Sequence, residues 1–174
     1  MTTWKIDESH SEIGFKVKHL MITNVSGYFT RFSGEVLTES EDFHDATINF
    51  EAEANSIDTQ NSQRDEHLKN GEFFDAGTFP KISFKSKKVK KVDGDRYKLL
   101  GDLTIKGQTH PIELDVEHGG VTVDPWGQQK AGFALKGRLH RTDFGLRWNA
   151  TTEAGGIVLS DEVKLLMEVQ LVKS

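Results

Sequence analysis

One pattern recurs along most of this chain: apolar and polar residues in strict alternation. Ile13, Phe15 and Val17 oppose Gly14, Lys16 and Lys18; Ile112, Leu114 and Val116 oppose Glu113, Asp115 and Glu117. Val163, Leu165, Met167, Val169 and Leu171 close the series. Successive strand side chains point to opposite faces, so period two predicts half-buried strands with one wet face and excludes a helical fold. About eight such segments joined by short turns predict an all-β antiparallel sheet, either a sandwich or a closed barrel. Glycines at 14, 27, 34, 101, 132 and 137 fall inside the strand patterns. There they relieve crowding in a strongly curled sheet, which favours the barrel.

The remaining segments follow in order. Trp4 to Asp7 reads as a short opening strand, and Leu20-Met21-Ile22 as an apolar interruption with the character of a helical turn. The inward positions switch from odd (Val25, Gly27, Phe29) to even (Phe32, Gly34, Val36), which predicts a bulge or bend near Arg31. Ala46, Ile48, Phe50, Ala52 and Ala54 form a face whose small inner end leaves space. Ile82 and Phe84, Tyr97 to Ile105, and Ala131 to Leu139 supply further strands. Turns are predicted at Asp93-Gly94-Asp95 and Lys106-Gly107-Gln108, and longer connections at Gly119-Gly120 and Asp124 to Gly127. Gly155-Gly156 reads as a loop.

Several chemistries are absent from the sequence. With no cysteine, disulfides, thiol catalysis and cysteine zinc sites are excluded. A net charge of −5 argues against nucleic acid as the main partner. The one basic run, Lys85 to Lys91, lies on a strand and reads as a solvated face or a lysine-protected edge. No window is long and apolar enough to be a membrane helix, and the first residues do not form a leader. No nucleotide or nucleophile-elbow fingerprint occurs, and the seven histidines are dispersed without metal-ligand spacing, so neither cofactor nor metal is expected. Asp65, Glu66 and His67 could be read as an acid–base cluster; a surface helix with Asp65 and Lys69 paired four residues apart is the simpler account.

The interior and one irregular stretch carry more information. Eleven Phe stand against three Trp and two Tyr, so most aromatics need no hydrogen-bond partner when buried. An eight-stranded barrel either fills with such side chains or holds one slender ligand. Pattern alone leaves both open, and the glycines and alanines among the phenylalanine faces favour a cavity. Between Asn55 and Lys85 the alternation stops. Asn61 or Ser62 can cap a short helix over Gln63 to Lys69, ended by Asn70-Gly71. Two turns are not stable alone, so this helix must dock through Leu68, Phe73 and Phe74, as a lid over one barrel end. Arg64 and His67 share a helix face that can meet an anionic group; alternatively, Arg64 bonds carbonyls of the lid itself.

The segment Ser56 to Val89, SIDTQNSQRDEHLKNGEFFDAGTFPKISFKSKKV, resembles the signature of the YceI-like family of lipocalin-fold polyisoprenoid-binding proteins. His10-Ser11, Ile13-Gly14-Phe15, Val25 to Phe29, Gly101 to Gly107, Thr142 to Gly145, and Gly156 with Asp161 to Val163 extend the resemblance over the whole chain, read as a single domain, 1–174. It implies an eight-stranded antiparallel lipocalin-like barrel with a short helix in the central insertion. It also implies an isoprenoid chain in the apolar lumen, as in a polyprenyl phosphate or an isoprenoid quinone. Lumen candidates are Phe15, Val17, Phe29, Phe32, Phe50, Phe84, Leu103, Phe133, Leu135 and Met167. Head-group candidates are Arg64 and His67, with Arg141 third. A homodimer is also implied, although no strand exposes an apolar stripe. Many members carry a leader; without one here, the expected setting is cytoplasmic, with at most peripheral membrane contact. The expected role is carriage, storage or transport without catalysis. One competing reading is an enzyme acting on an isoprenoid or oxidised lipid, with His19 or His140 as the polar group in the lumen. Another is a solid-cored stress or interaction protein.

Overall fold

The structure, a computed structural model, describes residues 1–149 and 158–174. Its strands are β1 (Thr2–Ile6), β2 (Glu12–His19), β3 (Thr23–Phe29), β4 (Phe32–Thr38), β5 (Thr47–Glu53), β6 (Ile57–Asp58), β7 (Lys81–Asp93), β8 (Arg96–Ile105), β9 (Gln108–Val123), β10 (Gln129–His140) and β11 (Leu159–Lys173). The helix α1 spans Ser62–Lys69. All pairings are antiparallel, in the order β1-β4-β5-β7-β8-β9-β10-β11, and the ring closes where β11 meets β1.

Eleven segments reduce to eight strands because three are broken in two. β1 and β2 are halves of one strand, interrupted by a 3₁₀ turn over Glu8–His10, and both pair with β11. β3 and β4 are separated by Thr30-Arg31, where the switch of inward positions predicted a bend. β5 and β6 flank a turn at Ala54–Ser56. The polar backbone at these breaks is satisfied across the gap: the Thr30 N–H donates to the Ser56 carbonyl at 3.1 Å, and the Glu53 N–H to that of Arg31 at 2.9 Å. The predicted closed eight-stranded barrel is therefore what the chain forms.

The turns also match their residue types, with one exception. Lys106 and Gly107 both take positive φ (53° and 73°), the geometry whose twist suits a tight hairpin. At the β2–β3 connection, however, Leu20 and Met21 take left-handed φ of 53° and 63°. The expected helical turn is absent; these two bulky residues are held in a conformation that usually goes to glycine. The lysine run of β7 faces water, as expected, with Lys87 3.2 Å from Asp102 and Lys91 3.3 Å from Asp42. Gly155-Gly156 lies outside the described residues.

Three wall glycines decide how much of the interior stays open. A Cβ on Gly27 would overlap the Phe15 ring, one on Gly101 the Phe84 ring and the Lys85 carbonyl, and one on Gly137 the Leu114 side chain. Phe15 and Leu114 are the direct cross-strand partners of Gly27 and Gly137. Each large side chain thus lies flat over a bare stretch of backbone and does not project toward the barrel axis. Gly27→Ala should push the Phe15 ring off the wall and cost about 1–3 kcal/mol by overpacking. Urea denaturation should show a lower midpoint with an unchanged m-value, because the exposed area is unaltered.

Candidate functional site

The inward faces of these strands enclose a cavity of about 270 Å³, counted as space open to the centre of a water molecule. One water needs only ~10–15 Å³ on that measure. The walls are carbon almost throughout. Of the lumen candidates, Phe15, Val17, Phe29, Phe50, Phe84, Leu103, Phe133, Leu135 and Met167 line it. Phe32 does not. It is buried, but its ring packs against Phe50 at 6.2 Å in the core behind the wall, beside the β3–β4 break. Ala46 and Ala52 also line the cavity, where larger residues would fill it. Along β11 the lining runs from Leu159 to Leu171. At ~3.3 Å per residue and a strand tilt near 40°, the lined length is on the order of 30 Å along the axis.

A lid covers one end. Asn61 caps α1 by accepting from the Arg64 N–H at 3.0 Å. Leu68, Phe73 and Phe74 then reach the cavity, with Phe74 edge-on to Phe29 at 5.8 Å. Asp65 is not paired with Lys69. It turns inward and accepts from the Thr59 N–H (2.9 Å) and hydroxyl (2.5 Å), while Lys69 meets Glu66 at 3.4 Å. The would-be acid–base cluster is therefore split among three environments.

Arg64 and His67 do not face the cavity. Arg64 bends back onto the lid, donating from Nε to the Thr59 hydroxyl and from Nη2 to the Thr59 carbonyl, both at 2.7 Å. His67 lies between Phe73 and Trp148, with ring centroids 5.1 Å from each, and its Nε2 is 3.4 Å from Glu72. Of the three head-group candidates, only Arg141 lines the cavity. It is 4% exposed and donates to the carbonyls of Ser160 (2.9 Å), Leu146 (2.6 Å), Trp148 (2.8 Å) and Leu159 (3.4 Å). No carboxylate of the described residues lies within 4 Å of it. Burial lowers the guanidinium pKa, and Asp161 partly offsets this. Among the described residues this buried cation is bonded only to neutral carbonyls, which leaves positive potential at the lid end of an apolar cavity. His19 and His140 are not among the lining residues; His140 faces outward, with Nδ1 3.1 Å from Asp161.

The other end is closed by an aromatic plug that sequence reasoning missed. Phe43, in left-handed conformation (φ 64°), places its ring 5.3 Å from Trp4 and 5.0 Å from Phe133. His118 stacks on Phe133 at 4.6 Å. The loop is held by Asp45, which accepts from the Ser40 and Thr38 hydroxyls (both 2.5 Å) and the Glu39 N–H (2.9 Å). Those bonds keep its carboxyl well below the usual range. A single phenylalanine in the acidic stretch Glu39 to Asp45 was the available signal.

A family model described as YceI-like domain matches residues 4–171. A UPF0312 protein of Staphylococcus epidermidis is 38% identical over 165 residues, 94% of each chain. Among solved structures, a Campylobacter jejuni YCEI protein is 35% identical with a TM-score of 0.76, covering 97% of this chain and 96% of its own. Burkholderia cenocepacia BcnA shares the fold at 19% identity (TM-score 0.82; 95% and 98% covered). So does a polyisoprenoid binding domain from Saccharophagus degradans, at 13% (TM-score 0.70; 98% of each).

Protonation of His118 is expected to destabilise the plug. Burial lowers its pKa below the ordinary 6.5, against the opposing pull of the Gly120 backbone, Asp42 and Asp95, and its buried Nε2 has no hydrogen-bond partner among the described residues. A histidine depressed on folding contributes stability above pH 6.5 that is lost as pH falls toward the folded value. The melting temperature lost between pH 7.5 and 5.0 should therefore be smaller in His118→Phe than in the unmodified chain, as read by thermal melts at both pH values.

Proposed function

We propose that this chain, which belongs to the YceI-like domain family, binds a long, slender isoprenoid or related amphiphilic lipid along its barrel axis and serves to carry or store it. The carbon-lined cavity closed by a lid and an aromatic plug is the observation that carries this reading. A water-filled channel would need polar walls, and a filled core would have no use for flattened phenylalanines beside glycine.

The energetics are sufficient without any catalytic group. At ~0.8 kcal/mol per buried CH₂, a five-carbon isoprene unit contributes on the order of 3–4 kcal/mol gross. Ordering a flexible chain removes a large part of that, yet a few units suffice for tight binding. The lined length, on the order of 30 Å, is about twice the hydrocarbon depth of one bilayer leaflet, which favours a chain longer than an ordinary acyl tail. The Saccharophagus degradans likeness, to a domain described as polyisoprenoid binding, agrees with that class of ligand. Arg141 would place a polar or anionic head group, as in a polyprenyl phosphate or the ring oxygens of an isoprenoid quinone, at the lid end.

Native mass spectrometry after gentle purification, followed by organic extraction, should recover apolar lipid close to one per chain. An empty mass, together with no uptake of a fluorescent polyprenyl probe from cyclodextrin, overturns the reading. Leu135→Trp, which fills the cavity, should cut probe uptake at least tenfold while leaving the strand signature in circular dichroism intact.

A further inference from the structure

On the lipid-carrier reading, the protein has to meet the bilayer that holds its cargo, and one end of the barrel presents an apolar tip. Leu20, Met21 and Ile22 at the β2–β3 turn are 41%, 52% and 78% exposed, three large apolar residues in succession at a protruding tip. Their backbone is tied to the cavity rim. The Leu20 N–H donates to the Val158 carbonyl at 2.8 Å, and neighbouring His19 pairs with Leu159, a residue of the cavity wall.

Below the tip, the outer face carries a row of basic residues, in a chain whose net charge is −5, with the Glu12–Glu168 pair lying further down the same strands. Lys16 lies directly across from Lys164, and Lys164 across from Arg138, on three adjacent strands; Lys18 is one step nearer the tip. Arg138 is 3.5 Å from Glu162, but no carboxylate of the described residues lies within 4 Å of Lys16, Lys18 or Lys164. Like charges directly opposite one another cost stability in a sheet, so this row calls for an anionic partner. At ~3.3 Å per residue, Lys18 and Lys16 stand about 7 and 13 Å from Leu20. Those distances suit an apolar tip sunk ~5–10 Å into a bilayer, with the lysines among the head groups.

We propose that this face docks the protein on an anionic lipid bilayer, with Leu20, Met21 and Ile22 inserted and Lys16, Lys18 and Lys164 on the head groups, so that the lid end of the cavity opens toward the membrane. The opposite end also exposes apolar residues, Met1, Val92, Val121, Val123 and Trp126, but they are spread over three segments of the chain and form no continuous tip. There the aromatic plug shuts the barrel, and the adjacent Lys130 is already engaged by Asp7 at 3.2 Å and Asp124 at 3.9 Å. The proposal rests on the lipid-carrier reading for its purpose, though not for its test.

Co-sedimentation with vesicles of phosphatidylglycerol and phosphatidylcholine, compared with phosphatidylcholine alone, measures docking. Uptake of the polyprenyl probe from cyclodextrin, without vesicles, measures the cavity separately. The full chain should bind the anionic vesicles and lose that binding in high salt. A Lys16→Gln, Lys18→Gln, Lys164→Gln variant should bind on the order of a hundredfold more weakly, roughly fivefold per lysine. Leu20→Gly with Met21→Gly should raise the melting temperature, since glycine accepts positive φ, and still lower vesicle binding; a merely structural turn would show only the first effect. Trp126→Ser should change neither. Docking is overturned if the full chain ignores anionic vesicles, if the lysine and tip variants bind as well as it does, or if Trp126→Ser alone abolishes binding. Failure of cyclodextrin uptake with docking intact would instead remove the carrier reading.

Discussion

Everything in this molecule depends on the two-sided pairing of β11. This 15-residue strand bonds to β10 along one edge and to β2 and then β1 along the other. Without that closure the sheet would end in two exposed edges, each a template for aggregation. With it, the ladders run around the ring, leaving β3 paired on its second edge only at Tyr28 and Phe29, and the interior is free to be apolar. An apolar interior that excludes water is the condition for a cavity of this size to hold a hydrocarbon chain.

Closure alone would still permit a solid core. The cavity exists because several large inward side chains lie along the wall, made possible by the glycines opposite them. The ends are then treated differently. At one end Phe43, Trp4, Phe133 and His118 form an aromatic plug, its loop anchored through the carboxylate of Asp45. The other end is covered by a two-turn helix and two phenylalanines, held by Leu68, Phe73 and Phe74 against the cavity, by His67 and Phe73 against Trp148, and by the Lys106 ammonium 2.9 Å from the Gly71 carbonyl. A short helix docked mainly through side chains is the easier of the two to displace. That asymmetry, with a buried Arg141 at the lid end, gives the cavity a direction.

Much of this was legible in the sequence. Alternation placed nine of ten lumen candidates on the cavity wall, and the face switch after Phe29 marked the bend at Thr30-Arg31. Asn61 was legible as a cap because its side chain needs only a local partner. Phe32 escaped because alternation reports the inward face and not the depth at which a ring is covered. Arg64 and His67 escaped because helical spacing says which residues share a face but not what that face meets. Arg64 found a carbonyl and a hydroxyl two residues before its own cap, and His67 found two aromatic rings, one of them 81 residues away.

The residues alone determined about eight antiparallel strands with apolar inward faces, most of their turns and the lid helix, because period-two burial and turn chemistry are local properties; they favoured a barrel and left a filled core and an open lumen both standing. Only the tertiary structure decided which end is plugged, which cation reaches the cavity, and that lysines from separate strands form one row. Those features arise where segments far apart in the chain come into register across a closed sheet, and no local pattern carries that information.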